Sequence, residues 1–127
     1  FGLVGHGLEM ARASRTRFTF DGSALPALDG ALDLARAGVE TDGAGHNRRF
    51  ADHALTVEPG VPAEIVALAH DPQTSGGLLV TVEPDRVEAL EAALTGAGVQ
   101  SWRVGRVDSV TPGTAPGVTL TAALAVA

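Results

Sequence analysis

Apolar positions along this chain change their period several times, and each change marks an element. Leu3, Val4, Gly7, Leu8 and Ala11 recur at helical spacing and predict a helix over roughly 3–14. Gly5 and Gly7 weaken it, at about 1 kcal/mol each against alanine in a helix interior. Glycines tolerated there allow close approach of another backbone or a ligand. Arg17 to Phe20 alternates polar and apolar and ends in the turn pair Asp21-Gly22, the pattern of a short strand. Pro26 breaks the chain, and Ala31, Leu32 and Ala35 begin a second helix over about 29–37, closed by Gly38.

Residues 41–53 are polar and glycine-bearing and predict an exposed loop with one helical turn near Asn47. Ala54 to Val57 reads as a short strand. Pro62 suits the first turn of a third helix over 62–69, with Ile65, Leu68 and Ala69 inward. Gly77 to Val82 is apolar but for Thr81 and is a buried-strand candidate. Pro84 opens a fourth helix on which Val87, Leu90, Leu94 and Ala97 share a face, with Glu88 and Glu91 on the wet side. Trp102 to Val110 alternates again as a strand. From Pro112 the chain reads as a proline- and glycine-containing tail, in which Val118 to Leu124 forms an edge strand or stays mobile. Strands alternating with helices predict an α/β or α+β domain, here a domain over residues 1–110 and a tail over 111–127.

Composition narrows the function classes. A length of 127 residues at 45% hydrophobic suits one domain with a real core. With four Phe, one Trp and no Tyr, that core is expected from Ala, Val and Leu. All nine basic residues are Arg, so a lysine Schiff base and a P-loop lysine are excluded. Net charge is −6 and the longest basic run is Arg48-Arg49, which disfavours nucleic acid as a partner. Zero cysteines exclude disulfides, zinc-thiolate sites and a thiol nucleophile. No apolar run reaches the roughly 18–20 residues that span a bilayer, so no membrane association is expected. The start, Phe1-Gly2-Leu3, carries neither Met nor a signal-peptide pattern and reads as a fragment whose upstream part is missing.

Two stretches bear on chemistry. His70-Asp71-Pro72-Gln73-Thr74-Ser75-Gly76-Gly77 lies between a predicted helix and a predicted strand. Its glycines let backbone approach a ligand, and adjacent N–H groups in such turns form anion-binding nests. The same residues also make an ordinary helix-to-strand connection, with Pro72 stopping the helix and Thr74 and Ser75 satisfying turn groups. The second stretch is Gly2 to Ala11, a glycine-bearing helix start of the kind that binds anions through free N–H groups. His6 within it is an acid–base or ligand candidate, or a packed or capping side chain. His46, His53 and His70 show no metal-ligand spacing. No serine sits in a Gly-x-Ser-x-Gly elbow, and no triad is recognisable.

At these two stretches the chain resembles the selenophosphate synthetases (selenide, water dikinases), within the aminoimidazole ribonucleotide synthetase superfamily. Phe1 to His6 with Leu8 to Ala11 is similar to the family's GFGLLGHLLEMA segment, and Asp71 to Leu79 matches its DPQTSGGLL string. Leu25-Pro26, Gly30-Ala31-Leu32, Asn47-Arg48 and Val104-Gly105-Arg106-Val107 fall where the family has similar short strings. The resemblance implies an α+β fold: a layered α/β sheet domain of the superfamily's carboxy-terminal type, partly ferredoxin-like. It implies a carboxy-terminal domain of a cytoplasmic bacterial enzyme that makes selenophosphate from selenide, ATP and water, releasing AMP and phosphate. ATP and Mg2+ would be its cofactors in the full-length protein, with neither held by this fragment alone. The implied partners are its own amino-terminal domain and a second subunit. Gly2, His6, Asp71, Thr74, Ser75, Gly76 and Gly77 would line the nucleotide or phosphate cleft in supporting roles, with no catalytic residue and no metal ligand in this chain. The family's Cys or selenocysteine, its neighbouring Lys and its magnesium-holding aspartate lie upstream of the matched segments. Gly7 departs from the Leu usual in the family. Alternatives are another ATP-dependent enzyme of the superfamily, whose members lack the DPQTSGG string, or a non-catalytic anion-binding or packing domain.

Overall fold

The expected first helix is present as α1, Gly2–Ser14, in the computed structural model, which describes residues 1–124. Val4, Leu8 and Ala11 fall on one face of α1 and are fully buried. The helix stops at Arg15, which takes the left-handed conformation at φ 56° so that its N–H reaches the carbonyls of Ala11 and Arg12. The chain reverses there into β1, Thr16–Asp21. Phe18 and Phe20 point from β1 into the core, while Arg17 and Thr19 take the opposite face.

The remaining elements are α2 (Ala31–Arg36), α3 (Asp42–Ala51), β2 (Leu55–Val57), α4 (Ala63–His70), α5 (Val87–Gly96), β3 (Gly105–Ser109) and β4 (Gly117–Thr121). The four strands form one mixed sheet in the order β2-β4-β1-β3. β1 runs antiparallel to β3 and parallel to β4, and β4 runs parallel to β2. This is the α+β arrangement that the resemblance implied, one of the two the alternating pattern left open. α1 lies across the sheet, so that Val4, Leu8 and Ala11 meet Phe18, Phe20, Val118 and Leu120, with Ala51 of α3 and Ala69 of α4 closing the layer. The core is therefore not aliphatic alone, since Phe20 is the largest of its fully buried side chains.

Gly7 explains how that ring fits. A Cβ at this position would stand 2.7 Å from two atoms of the Phe20 ring. The glycine that departs from the family pattern is the floor on which the phenyl ring sits, rather than a loosening of the helix.

Three expectations are corrected. Residues 42–51 are helical, not loop. Gly43 and Gly45 hide the signal, but Ala44, Asn47 and Ala51 recur at helical spacing and are buried. Asp42 in the first turn and Arg48 and Arg49 in the last complement the helix dipole. Tertiary burial of one face outweighs the glycine penalty.

Gly77 to Val82 forms no strand, and Leu78 is 95% exposed. A β-prone run becomes a strand only when its backbone joins a ladder, and among the described residues β3, at the sheet edge, pairs with β1 alone. Val118 to Leu124, expected at an edge or mobile, supplies instead the inner strand β4 between β1 and β2. Val118 and Leu120 are fully buried, and Pro112 and Pro116 precede the strand, where no ladder N–H is needed. Residues 125–127 of that tail lie outside the described residues.

The last predicted strand is shorter than expected, Gly105–Ser109, and exposed throughout. α5 buries no residue completely, although Val87, Leu90 and Leu94 on its expected face are half-buried. Among the described residues no helix is long and apolar enough to cross a membrane.

Candidate functional site

The 71–77 loop leaves the C-terminal end of α4, and three elements converge on that end. The first is the start of α1. Gly2 has φ 70°, and a Cβ there would lie 2.9 Å from the carbonyl oxygens of Ala69 and His70. Only glycine both adopts this conformation cheaply and lets the two backbones touch. The second is α3, whose Asn47 is 5% exposed and donates from Nδ2 to the His70 carbonyl at 2.8 Å. The third is the segment before α3: the Thr41 hydroxyl donates to Asp71 Oδ1 at 2.9 Å. Gly43 faces the Pro72 ring, where a Cβ would stand 2.8 Å away.

His70 itself is 2% exposed. Its Nδ1–H donates to the Val66 carbonyl at 2.7 Å, one helical turn back. Burial in apolar surroundings holds its pKa below the usual histidine value, because the charged imidazolium would be poorly solvated. The ring is therefore a neutral structural group. Its tautomer is set by the Val66 carbonyl, which accepts only from a protonated Nδ1.

Beyond His70 the loop opens outward. Gln73 Nε2 donates to Asp71 Oδ2 at 2.5 Å, so both carboxylate oxygens of Asp71 serve the loop and its neighbour. The Gly76 N–H donates to the Gln73 carbonyl at 3.3 Å, which closes a turn over 73–76. Thr74, Ser75, Gly76 and Gly77 are all exposed. Among the described residues the hydroxyls of Thr74 and Ser75 have no hydrogen-bond partner. The arrangement is a polar tip with open donors on a rigid base.

The structure thus brings Gly2 and Asp71 to one node and places Thr74 to Gly77 on the arm that projects from it. His6 lies elsewhere in the bonding scheme. Its side chain is 59% exposed, and its Nδ1–H donates to Glu9 Oε2 at 3.1 Å, one turn along α1. No hydrogen bond joins it to the loop among the described residues. His46 bonds to Arg49 on α3, and His53 to Arg12. Among the described residues no group of three or more His, Cys, Asp or Glu is placed to hold a metal ion.

Asn47 is the residue whose part in this node the pattern along the chain did not reveal. It sat in a segment read as loop, and its one visible signal was the Asn47-Arg48 pair quoted above. Thr41 and Gly43 carried no signal of their own.

The family described as AIR synthase related protein, C-terminal domain, matches residues 1–115. Among curated proteins, the chain is 42% identical over 113 residues to the selenide, water dikinase of Nitratidesulfovibrio vulgaris, covering 89% of this chain and 32% of that protein. The selenide, water dikinase of Rhizobium meliloti is 42% identical over 98 residues, 77% of this chain and 28% of its own length. That of Clostridioides difficile is 34% identical over 90 residues, 71% of this chain and 26% of its own length. The chain therefore spans between about a quarter and a third of the length of the curated relatives it matches.

Proposed function

The chain belongs to the family of AIR synthase related proteins, C-terminal domain, and from that premise we propose that it is the carboxy-terminal domain of a selenophosphate synthetase. The reaction proposed for the whole protein converts selenide, ATP and water to selenophosphate, AMP and phosphate. The observation that carries the reading is the Asp71 to Leu79 string, whose polar members stand on an exposed arm with a braced base. The relatives named selenide, water dikinase support it.

In this reading the domain closes over a nucleotide held by a preceding domain. The N–H groups of Thr74, Ser75 and Gly77 and the two free hydroxyls contact phosphate oxygens, while Gly2 and Asp71 hold the arm in place and the Gly76 N–H closes the turn. ATP with Mg2+ would supply the transferable phosphoryl group and its charge neutralisation. Among the described residues no group of three or more His, Cys, Asp or Glu is gathered. In this reading the magnesium ligands and proton transfer at selenium are assigned to the preceding domain. The role of this chain is to position and to exclude water.

The exposed apolar side chains of Leu78, Val80, Val82 and Trp102 support covering by further protein, since exposed apolar surface of this kind marks interfaces. Its partner in this reading is the preceding domain of the same protein, in a cytoplasmic homodimer.

The test is the double variant Thr74→Ala, Ser75→Ala in the full-length protein. Selenide-dependent AMP release is followed alongside nucleotide affinity. Weaker ATP binding and slower turnover are expected. Unchanged values of both would end the assigned role of the arm. The 127-residue chain by itself is expected to give no selenophosphate signal in phosphorus NMR.

A further inference from the structure

At the opposite end of α1 from Gly2, a surface cleft of about 410 Å3 brings together Arg12, Arg17 and His53. The three come from separate elements: the last turn of α1, β1, and the short 3-10 turn Asp52–Ala54 between α3 and β2. Nothing along the sequence announces this cluster, because Arg12 and His53 lie 41 positions apart. In a chain of net charge −6, two arginines and a histidine on one cleft are a local reversal of sign.

Both guanidinium groups are held without being neutralised. Arg12 donates to His53 Nε2 and lies over the Phe50 ring, 5.8 Å from its centroid. Arg17 Nη1 donates to the Ala115 carbonyl at 3.0 Å, and its Nη2 to Thr119 Oγ1 at 3.3 Å. Among the described residues neither arginine forms an ion pair with a carboxylate, whereas Arg36, Arg48, Arg103 and Arg106 all do. The carboxylate opposite Arg17 across the sheet, Asp108, is bonded to Arg106 at 3.0 Å. The cleft cations are therefore positioned by neutral acceptors, with donors left over for an incoming anion.

We propose that this cleft binds the phosphate group of a small phosphomonoester. A carboxylate is satisfied by one guanidinium fork, whereas a phosphate has three terminal oxygens and accepts from two forks and an imidazole at once. The cleft exceeds the needs of a bare ion and falls in the range of about 300–1,000 Å3 usual for small-molecule sites. Leu55 and Pro116 offer apolar wall to the organic part of the ligand, and Thr56 offers a hydroxyl. The site lies apart from the 71–77 arm and does not depend on the reaction proposed above.

The test uses the full chain in phosphate-free buffer at constant ionic strength, with the arginine side-chain N–H signals followed by NMR and affinities measured by calorimetry. Inorganic phosphate, AMP and adenosine are the probes. Saturable shifts of the Arg12 and Arg17 signals are expected with phosphate and AMP, tighter with AMP, and none with adenosine. Arg12→Gln and Arg17→Gln should each weaken AMP binding about tenfold or more, the loss of one charge-assisted contact. Arg17→Lys should keep part of the affinity. Thermal melting without ligand checks that each variant folds, and Arg12, exposed on α1, decides the matter if Arg17→Gln does not fold. The proposal is overturned if the shifts do not saturate, if adenosine binds as AMP does, or if the folded glutamine variants bind like the parent.

Discussion

Removing the Asn47 amide should loosen the base of the loop more than its small size suggests. Asn47 is 5% exposed and its Nδ2 donates to the His70 carbonyl at 2.8 Å, at the last residue of α4. That carbonyl belongs to the last turn of a helix, where no intrahelical partner is available. Replacing Asn47 by Ala takes away the donor and leaves the oxygen buried against Gly2. An unmade bond of this kind costs about 1–3 kcal/mol. Each kcal/mol moves the melting temperature of a domain of this size by about 3–5 °C. Urea unfolding followed by circular dichroism measures the loss, with the m-value as a check that the unfolded state is unchanged. Amide exchange at Ala69 to Asp71 reports whether the loosening is local.

Asn47→Asp refines the test, since it keeps the shape and changes only what the side chain donates. A protonated Asp carboxyl still donates to the His70 oxygen, whereas an ionised one repels it. Burial against a carbonyl raises the folded-state pKa of that carboxyl above its unfolded value. Its contribution is then full below the unfolded pKa and lost as pH rises through the folded one. Asn47→Asp should therefore approach the parent in stability at acid pH and fall below Asn47→Ala near neutrality. The reasoning is refuted if Asn47→Ala lies within about 0.5 kcal/mol of the parent, the scatter of ordinary surface changes, with exchange at 69–71 unaltered.

Two further outcomes follow from the same geometry. His70 has its pKa held below 6.5 by burial, so its neutral form stabilises the fold fully above the unfolded-state value. Stability should decline as pH falls through and below that value, and His70→Gln should flatten the decline; urea midpoints measured between about pH 7 and pH 5 decide it. Gly7→Leu, which installs the residue usual in the resembled family, should destabilise by about 1–3 kcal/mol through overpacking, because its Cβ meets the Phe20 ring at 2.7 Å. Phe20→Leu placed in the same chain should recover part of that loss, whereas additive losses in the double variant would count against the packing account.

What the sequence revealed and what it hid follow one physical division. Elements whose signal is periodic were legible: α1 from Leu3, Val4, Leu8 and Ala11, β1 from Phe18 and Phe20, and α4 from Ile65 and Ala69. α3 was not, because Gly43 and Gly45 lower its local preference. Its reason for being helical, Asn47 against His70, is a contact across 23 residues. β4 was read as peripheral because two prolines precede it, yet prolines before a strand say nothing about its place in the sheet. The site divided likewise. The string Asp71 to Gly77 was legible because it is contiguous. Its supports, Gly2, Thr41 and Asn47, are gathered from three segments by the fold, and only Gly2 stood in a recognisable stretch.

The run Gly77 to Val82 is where local pattern and fold disagree most, and the disagreement has a consequence. Val80 and Val82 are 61% and 38% exposed, Leu78 is 95% exposed, and Trp102 is 53% exposed. Among the described residues the outer side of β3 carries no partner, and a free edge together with an unpaired β-prone apolar run is the pattern that invites pairing with another strand. Pro84 ends the run on one side and Gly76-Gly77 on the other, so the segment has the length and freedom to pair once an edge or a face is offered. Burial of these side chains is worth about 1.5–3 kcal/mol each for full transfer from water. The unpaired run therefore favours any arrangement that covers it. The run follows the 71–77 arm directly in sequence, so an arrangement that covered the run would bear on the arm as well.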